Sequence, residues 1–338
     1  MSERLVEVVR GPLVESQHRG DIAVVDRAGR LLWSVGDPHR VTYARSSAKP
    51  LQALPLVESG AADAFGMSDE EIALCCASHS GEEIHTERVL ALLRRIDIDP
   101  KHLRCGAHAP YHAASYERLL RGGASPEAVH NNCSGKHAGM LAMAKFLGAD
   151  LDTYLEPDHP VQRRILTAVS EVTGVAEEDI VLGTDGCGVP VFGLPVDAMA
   201  RAYAQFTDPD PAEMGEPRAR AMRRIARAMV SHPHLVAGTE RFCTGLMSAG
   251  GGALLGKAGA EGVYCAGVMG AGIGLCVKVE DGDARAAYPS VVETLAQAGL
   301  VSPDVLAKLE GFRRPQLHNH AGTWVGEIRP VFRLHQHA

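Results

Sequence analysis

The sequence predicts an α/β protein of the α+β type, with an antiparallel sheet built from both chain ends and a large inserted helical region. Short β-type runs occur near both termini, whereas residues 47–229 show apolar spacings of three and four, which are typical of helices. No repeat or low-complexity linker separates these regions. We therefore predict a single compact domain over residues 1–338, in which residues 1–45 and 236–338 form the sheet and residues 46–235 form the mainly helical insert.

The spacing of apolar residues also predicts the individual strands and helices. Short β-rich runs predict strands at residues 5–9, 22–25, 31–35, 262–268 and 273–279. Helical spacing covers residues 71–76, 86–95, 115–120, 136–147, 160–172, 196–206 and 217–229, and a last helix is predicted at 289–299. After the turn pair Asp281-Gly282 we expect a short strand at residues 284–287. The histidine-containing end, residues 334–338, is expected to be a disordered tail.

Composition and charge exclude several classes of protein. Hydrophobic residues make up 46% of the 338 residues and charged residues 22%, a balance typical of globular chains. The net charge of −7 and the lack of long basic runs argue against a nucleic-acid partner. Charges interrupt the apolar residues at 1–12 and in the apolar tract 249–277, so neither a secretory signal nor a membrane helix is expected. We predict a cytoplasmic protein whose eight cysteines are reduced thiols.

Ser46 and Lys49 form the pattern S-x-x-K. On a helical turn this spacing places the hydroxyl and the amine on the same face. A serine hydroxyl needs a base to become a nucleophile, and a lysine accepts its proton only when the amine is neutral. The pattern is therefore that of a nucleophile and its base, although S-x-x-K also occurs by chance in most chains.

Ser78 and Lys257 are further candidates for the same chemistry. Lys257-Ala258-Gly259 precedes a predicted strand and resembles the K-T-G sequence that accompanies S-x-x-K in serine β-lactamases and penicillin-binding proteins. Between the two motifs, Ser78 ends a predicted helix within a hydroxyl cluster, where those enzymes place a polar loop. A solvated capping group is the alternative for Ser78. The order of the three motifs favours an acyl-transfer enzyme.

Cys133, Lys136 and Cys187 are candidate metal ligands. Cys133 opens a predicted helix whose dipole favours a thiolate, and Cys187 lies on the Gly-rich loop 183–190. Two thiols and a nearby amine suit zinc, although lysine must lose its proton to bind a metal. From spacing alone, the favoured alternative is that both cysteines pack as small apolar groups. The sixteen histidines also include pairs at metal-binding spacing, at 108/112, 232/234 and 318/320.

Taken together, these motifs resemble the Rhizobium etli-type L-asparaginases over residues 5–331. The resemblance is carried by six segments in the order of that family: residues 44–50, 77–82, 130–137, 183–190, 257–262 and 278–283. The segments His130-Asn131-Asn132-Cys133-Ser134-Gly135-Lys136-His137 and Gly183-Thr184-Asp185-Gly186-Cys187-Gly188-Val189-Pro190 are the most specific.

The resemblance implies a fold similar to serine β-lactamases and glutaminases and a homodimeric assembly. It also implies two neighbouring Ser–Lys pairs, Ser46 with Lys49 and Ser78 with Lys257. A zinc ion held by the Cys133 and Cys187 thiolates and the Lys136 amine follows from the same resemblance. Three substrate-binding residues are also expected. Asp185 and His137 match positions near the substrate or the metal, and Arg45 suits a substrate carboxylate.

The expected activity is hydrolysis of L-asparagine to L-aspartate and ammonia through a serine acyl-enzyme. Ser46 is the expected nucleophile, with Ser78 as the alternative. Zinc is expected to orient the substrate and to fix the loop that bears Cys187, because two thiolates weaken its Lewis acidity. The first competing function is that of a glutaminase or another S-x-x-K acyl-transfer enzyme. Asparagine and glutamine differ by one methylene, which is worth only about 1–3 kcal/mol of discrimination. A non-catalytic zinc-binding protein is the second.

Overall fold

The computed structural model describes residues 1–337, and these residues form two compact units. The first unit comprises residues 1–47 and 193–208 and the chain from Gly245 onward. The second unit comprises residues 48–192 and 209–244. The single domain predicted from the sequence, with its predicted boundaries, stays a prediction.

The strands and helices alternate in blocks along the chain. The strands are β1 (Glu3–Arg10), β2 (Leu13–Asp26), β3 (Leu31–Val35), β4 (Val41–Tyr43), β5 (Val181–Thr184), β6 (Pro190–Pro195), β7 (Leu254–Ala258), β8 (Val263–Val268), β9 (Ile273–Val279), β10 (Gln316–His318), β11 (Trp324–Pro330) and β12 (His335–Gln336). The helices are α1 (Lys49–Glu58), α2 (Ala61–Ala64), α3 (Asp69–Cys75), α4 (Glu83–Arg95), α5 (Ala113–Arg121), α6 (Ser134–Leu147), α7 (Pro160–Thr173), α8 (Val196–Thr207), α9 (Pro211–Met214), α10 (Glu216–Ser231), α11 (Pro233–Val236), α12 (Phe242–Gly250), α13 (Ala284–Gln297) and α14 (Pro303–Arg313).

The first unit is built on an antiparallel sheet that both chain ends supply. The strand order is β10-β11-β1-β2-β9-β8-β7, with β3 also paired to β2 and β12 paired to β3. Val8 of β1 lies opposite Ile328 of β11, and Ala23 of β2 lies opposite Cys276 of β9. The predicted fold class, an antiparallel sheet from both termini with a large helical region, is confirmed.

Helix α8 packs against β9 at a position that requires glycine. A Cβ atom on Gly274 would lie 2.0 Å from the carbonyl oxygen of Ala200 and 2.4 Å from the amide nitrogen of Ala204. Both are backbone atoms of α8, so they cannot move aside without moving the helix. Gly274 therefore allows the helix to lie directly on the strand.

The second unit is a helical assembly in which α1 and α6 lie near its centre. Helix α3 begins with a capping box, in which Ser68 and Glu71 exchange hydrogen bonds. Helix α6 lies so close to α3 that a Cβ atom on Gly135 would lie 2.3 Å from the Leu74 carbonyl oxygen. This contact sets the position of the residues beside Gly135 on the first turn of α6.

Two local predictions were wrong. Residues 284–287 begin helix α13, because the Asp283 side chain accepts a hydrogen bond from the Arg285 amide and so caps a helix. The tail is ordered over the part that the structure describes: β12 pairs with β3, and the His337 Nε2 lies 2.8 Å from the Ser34 hydroxyl. Ala338 lies outside the described residues.

Helix α1 was not predicted, because Pro50 and Pro55 interrupt its sequence. Pro50 stands at the helix start, where a missing N–H costs nothing, and Pro55 is accommodated inside the helix.

None of the helices in the described part of the chain has the length and apolar character that a membrane span requires.

Substitution Gly274→Ala should lower the free energy of unfolding by about 1–3 kcal/mol, because the added methyl group overlaps the backbone of α8. Urea unfolding of the variant measures this. Gly311→Ala on α14 is the matched control: its Cβ would meet nothing within 4 Å, and helix propensity should raise stability by about 0.5–1 kcal/mol. Equal stability of the Gly274 variant and the wild type would contradict the close packing of α8.

Candidate active site

A buried lysine and serine meet in the second unit. Lys49, the first residue of α1, is fully buried. Its Nζ donates hydrogen bonds to the Ala77 carbonyl oxygen at 2.5 Å and to the Ser78 Oγ at 2.9 Å. The Ser78 amide donates to the Val236 carbonyl oxygen at 2.9 Å, which fixes the backbone of this loop. The Lys49–Ser78 contact joins two predicted site residues in a combination that the sequence did not predict.

The remaining predicted catalytic residues lie in the first unit. Ser46 is half-buried in the 3₁₀ turn Arg45–Ala48. Arg45 has a φ of 50°, in the left-handed region that few residues other than glycine adopt, and its guanidinium lies 3.8 Å from the Glu261 carboxylate. Lys257 is buried on β7, and its Nζ donates to the Ala258 carbonyl oxygen at 2.8 Å.

The predicted catalytic residues are thus divided between the two units. Ser46 and Lys257 belong to the first unit, and Lys49 and Ser78 belong to the second. The pairs Ser46/Lys49 and Ser78/Lys257 stay predictions.

The three predicted metal ligands come together within the second unit. Cys133, Lys136 and Cys187 are each at most 5% exposed. Lys136 Nζ donates to the Cys187 Sγ at 3.0 Å. Cys133 is the residue before α6, and Lys136 lies in the first turn of that helix. The hydroxyl of Ser134, the first residue of α6, donates to the Val129 carbonyl oxygen and does not cap the helix.

The ionisable groups of this cluster shift one another's pKa values. A hydrogen bond from Cys187 lowers the pKa of Cys133 well below its usual value, and the positive charges of Lys49 and Lys136 lower it further against the opposing effect of burial. The same hydrogen bond, together with burial, raises the pKa of Cys187. Burial by itself lowers the pKa of Lys136, but the charges of the two sulfurs raise it to about 12. Lys136 and the two sulfur atoms therefore stabilise opposite charges on one another within this buried cluster.

This donor set fits zinc. Two sulfur atoms and one amine already share protons in a single buried network, and a divalent cation can take the place of those protons. Lys136 would have to lose its proton to bind through Nζ. The presence of zinc stays a prediction.

The predicted substrate-binding residues of the second unit have different surroundings. Asp185 is half-buried, and its carboxylate accepts a hydrogen bond from the Gly186 amide at 2.9 Å and lies 3.8 Å from the Cys187 Sγ. His137 is fully buried, and its Nδ1 lies 2.6 Å from the Tyr154 hydroxyl. Burial lowers the pKa of His137 well below its usual value, so the ring is neutral. Contact of either residue with a substrate stays a prediction.

Sequence reasoning missed a polar network around Glu82. The carboxylate accepts hydrogen bonds from the Ser80 hydroxyl at 2.6 Å and from the amide and hydroxyl of Thr239, both at 2.8 Å. Burial raises the pKa of Glu82, but these hydrogen bonds outweigh it and lower the pKa to about 2. His85 and His234 lie beside this carboxylate. The spacing Glu82-x-x-His85, which places both side chains on one side of a helical turn, was the available signal.

Comparison with known proteins gives a family match and a similar solved structure. The family model described as L-asparaginase II matches residues 6–330. No curated protein matches the chain. Among solved structures, a β-lactamase from Mycobacterium bovis is similar with a TM-score of 0.46 and 14% sequence identity, over 83% of this chain and 95% of that chain.

Substitution Glu82→Gln should make the stability of the protein less dependent on pH in acid. The folded pKa of about 2 lies below the ordinary value of 4.5, so the stabilisation from Glu82 is present above pH 4.5 and is lost as the pH falls toward 2. Urea unfolding at a series of pH values, in the presence of a chelator, measures the slope. The exposed Glu87 on the same helix supplies the control Glu87→Gln, which should keep the wild-type slope. A wild-type slope in Glu82→Gln would contradict the network.

Proposed function

We propose that this chain, which belongs to the L-asparaginase II family, hydrolyses L-asparagine to L-aspartate and ammonia through a serine acyl-enzyme. The observation that carries the proposal is the fully buried Lys49 amine, which donates hydrogen bonds to a carbonyl oxygen and to the Ser78 hydroxyl. This contact places Lys49, the proposed base, against Ser78, the proposed proton relay.

Ser46 is the proposed nucleophile. Ser46 is half-buried and so more exposed than Ser78, of which only 7% is exposed. The residue before Ser46, Arg45, has a strained backbone with a φ of 50°. Such strain costs about 1–3 kcal/mol and is concentrated at functional sites, where it fixes the direction of a reacting group. Both features support Ser46 over Ser78.

The proposed reaction has two halves. Ser46 Oγ forms a bond to the side-chain amide carbon while its proton passes to neutral Lys49, and backbone N–H groups stabilise the resulting oxyanion. The carbon–nitrogen bond then breaks, and the nitrogen leaves as ammonia after accepting a proton relayed by Ser78 and Lys257. Water attacks the ester carbon, which releases L-aspartate and restores the Ser46 hydroxyl.

Charged groups are proposed to select the substrate. Arg45 offers a guanidinium that suits the α-carboxylate, and Asp185 offers a half-buried carboxylate that suits the α-ammonium group. Because His137 is fully buried, it is proposed to act indirectly, by positioning the residues that contact the substrate. Zinc at Cys133, Lys136 and Cys187 would supply positive charge that fixes the loop 183–190. A homodimer and a cytoplasmic location remain predictions from the sequence.

Ser46→Ala should lower kcat/KM for L-asparagine by about 10³-fold or more, because no other group can form the acyl-enzyme in its place. Ammonia release from L-asparagine and L-glutamine, measured in parallel, tests this. The adjacent Ser47→Ala is the matched control: the Ser47 hydroxyl donates to the Ala44 carbonyl oxygen, so activity should stay within about tenfold of the wild type.

Each outcome of that comparison bears on a different part of the proposal. Activity that survives in Ser46→Ala but is lost in Ser78→Ala would move the nucleophile to Ser78. Preference for L-glutamine would change the substrate and keep the mechanism. Absence of ammonia release from either amide in the wild type would contradict an amidohydrolase.

Removal of zinc should raise KM for L-asparagine more than it lowers kcat, because the metal is proposed to hold the substrate-binding loop. Steady-state kinetics before and after chelation, with zinc added back as the control, measure both constants. Loss of turnover with unchanged affinity for the substrate would contradict this role.

A further inference from the structure

Three side chains outside the proposed catalytic residues present metal-binding atoms to one another. One carboxylate oxygen of Glu82 and one ring nitrogen each of His85 and His234 all lie within 4.8 Å of one another. Glu82 precedes α4, His85 lies in the first turn of α4, and His234 lies in α11. The three residues belong to the second unit, so a single compact body holds them.

His85 has the hydrogen-bonding pattern of a metal ligand. The ring is fully buried, and its Nε2 lies 3.0 Å from the His234 carbonyl oxygen. A carbonyl oxygen only accepts, so Nε2 carries the proton and donates it, which leaves a lone pair on Nδ1. That Nδ1 atom is buried and has no hydrogen-bond partner. Metal-binding histidines typically donate their second N–H to a carbonyl in this way.

Glu82 is also held in an orientation that suits a metal ligand. Ser80 and Thr239 donate hydrogen bonds to its carboxylate, which orients the group and keeps it ionised. Its Oε2 also lies 3.3 Å from the His234 Nε2. His234 is 40% exposed at its side chain and forms the open side of the cluster. Two imidazoles and one carboxylate with an open side are a donor set that zinc binds in proteins.

We propose that Glu82, His85 and His234 bind one divalent transition-metal ion, with zinc as the best match, at a site distinct from the Cys133–Lys136–Cys187 cluster. Zinc bonds of about 2.0–2.2 Å place tetrahedral ligand atoms about 3.4 Å apart. The ligand atoms therefore have to close by up to about 1.4 Å from the 4.8 Å limit. The half-exposed His234 can make that movement by rotation of its side chain.

The ion would position the loop that carries Ser78. Residues 234–239 already contact this loop, because the Val236 carbonyl accepts the Ser78 amide and Thr239 donates to Glu82. A metal that joins His234 to Glu82 and His85 adds a further link between the same two segments. Its role is structural positioning of the Ser78 backbone, four residues from Glu82.

The test uses cobalt, because its absorption distinguishes sulfur ligands from nitrogen and oxygen ligands. The variant Cys133→Ser/Cys187→Ser, freed of metal, should bind one cobalt ion per chain with ligand-field absorption and without a thiolate-to-cobalt charge-transfer band. Adding His234→Ala should raise the dissociation constant at least tenfold. Adding His232→Ala, which removes a nearby half-buried histidine outside the cluster, should leave it unchanged.

The same distinction can be read in the otherwise unchanged protein if the cysteine variant does not fold. There His234→Ala should remove one bound cobalt ion and leave any thiolate band intact, and zinc should raise the Tm of the wild type more than that of His234→Ala. The proposal is overturned if cobalt binding without a thiolate band is absent, or if it is equally tight with and without His234.

Discussion

Two buried lysines determine much of the second unit. Lys49 is fully buried and Lys136 nearly so, and burial of an amine is costly unless hydrogen bonds or charge compensate for it. Lys49 donates to a backbone carbonyl oxygen and to the Ser78 hydroxyl, and Lys136 donates to the Cys187 sulfur. A hydrogen bond from Cys187 lowers the pKa of Cys133, and positive charge on either lysine lowers it further. The candidate metal ligands and the candidate base are therefore one electrostatic unit, and a change in the charge of one residue alters the others.

The same cluster explains why the backbone around Ser78 is so closely held. Gly135 lets α6 lie against α3, and the next residue, Lys136, is thereby directed into the cluster. On the other side of Gly135, Ser134 lies 2.9 Å from the His79 ring, which is beside Ser78. Lys49 holds the Ser78 hydroxyl, and the Val236 carbonyl holds its amide. Rigid support of this kind keeps the Ser78 hydroxyl, the proposed proton relay, in one orientation.

The sequence was most informative where a pattern is local. Predicted helices such as those at 160–172 and 217–229 are confirmed in α7 and α10, because apolar spacing over several turns is a strong signal. Prediction from the sequence failed at residues 284–287, where the Asp283 side chain caps a helix and so excludes the predicted strand. It also failed at α1, where two prolines interrupt the helical pattern. In both places one or two side chains, and not the average pattern, determine the backbone.

By itself the sequence determined the fold class and the short motifs that carry the chemistry, because these depend on composition and on the local spacing of residues. It also predicted that the cysteines are reduced thiols. Only the tertiary structure decided which distant residues meet. The contact of Lys49 with Ser78 spans 29 positions, that of Lys136 with Cys187 spans 51, and that of His85 with the His234 carbonyl spans 149. Such contacts depend on how packed helices bring separate segments together, and the identity of neighbours along the chain does not specify that arrangement.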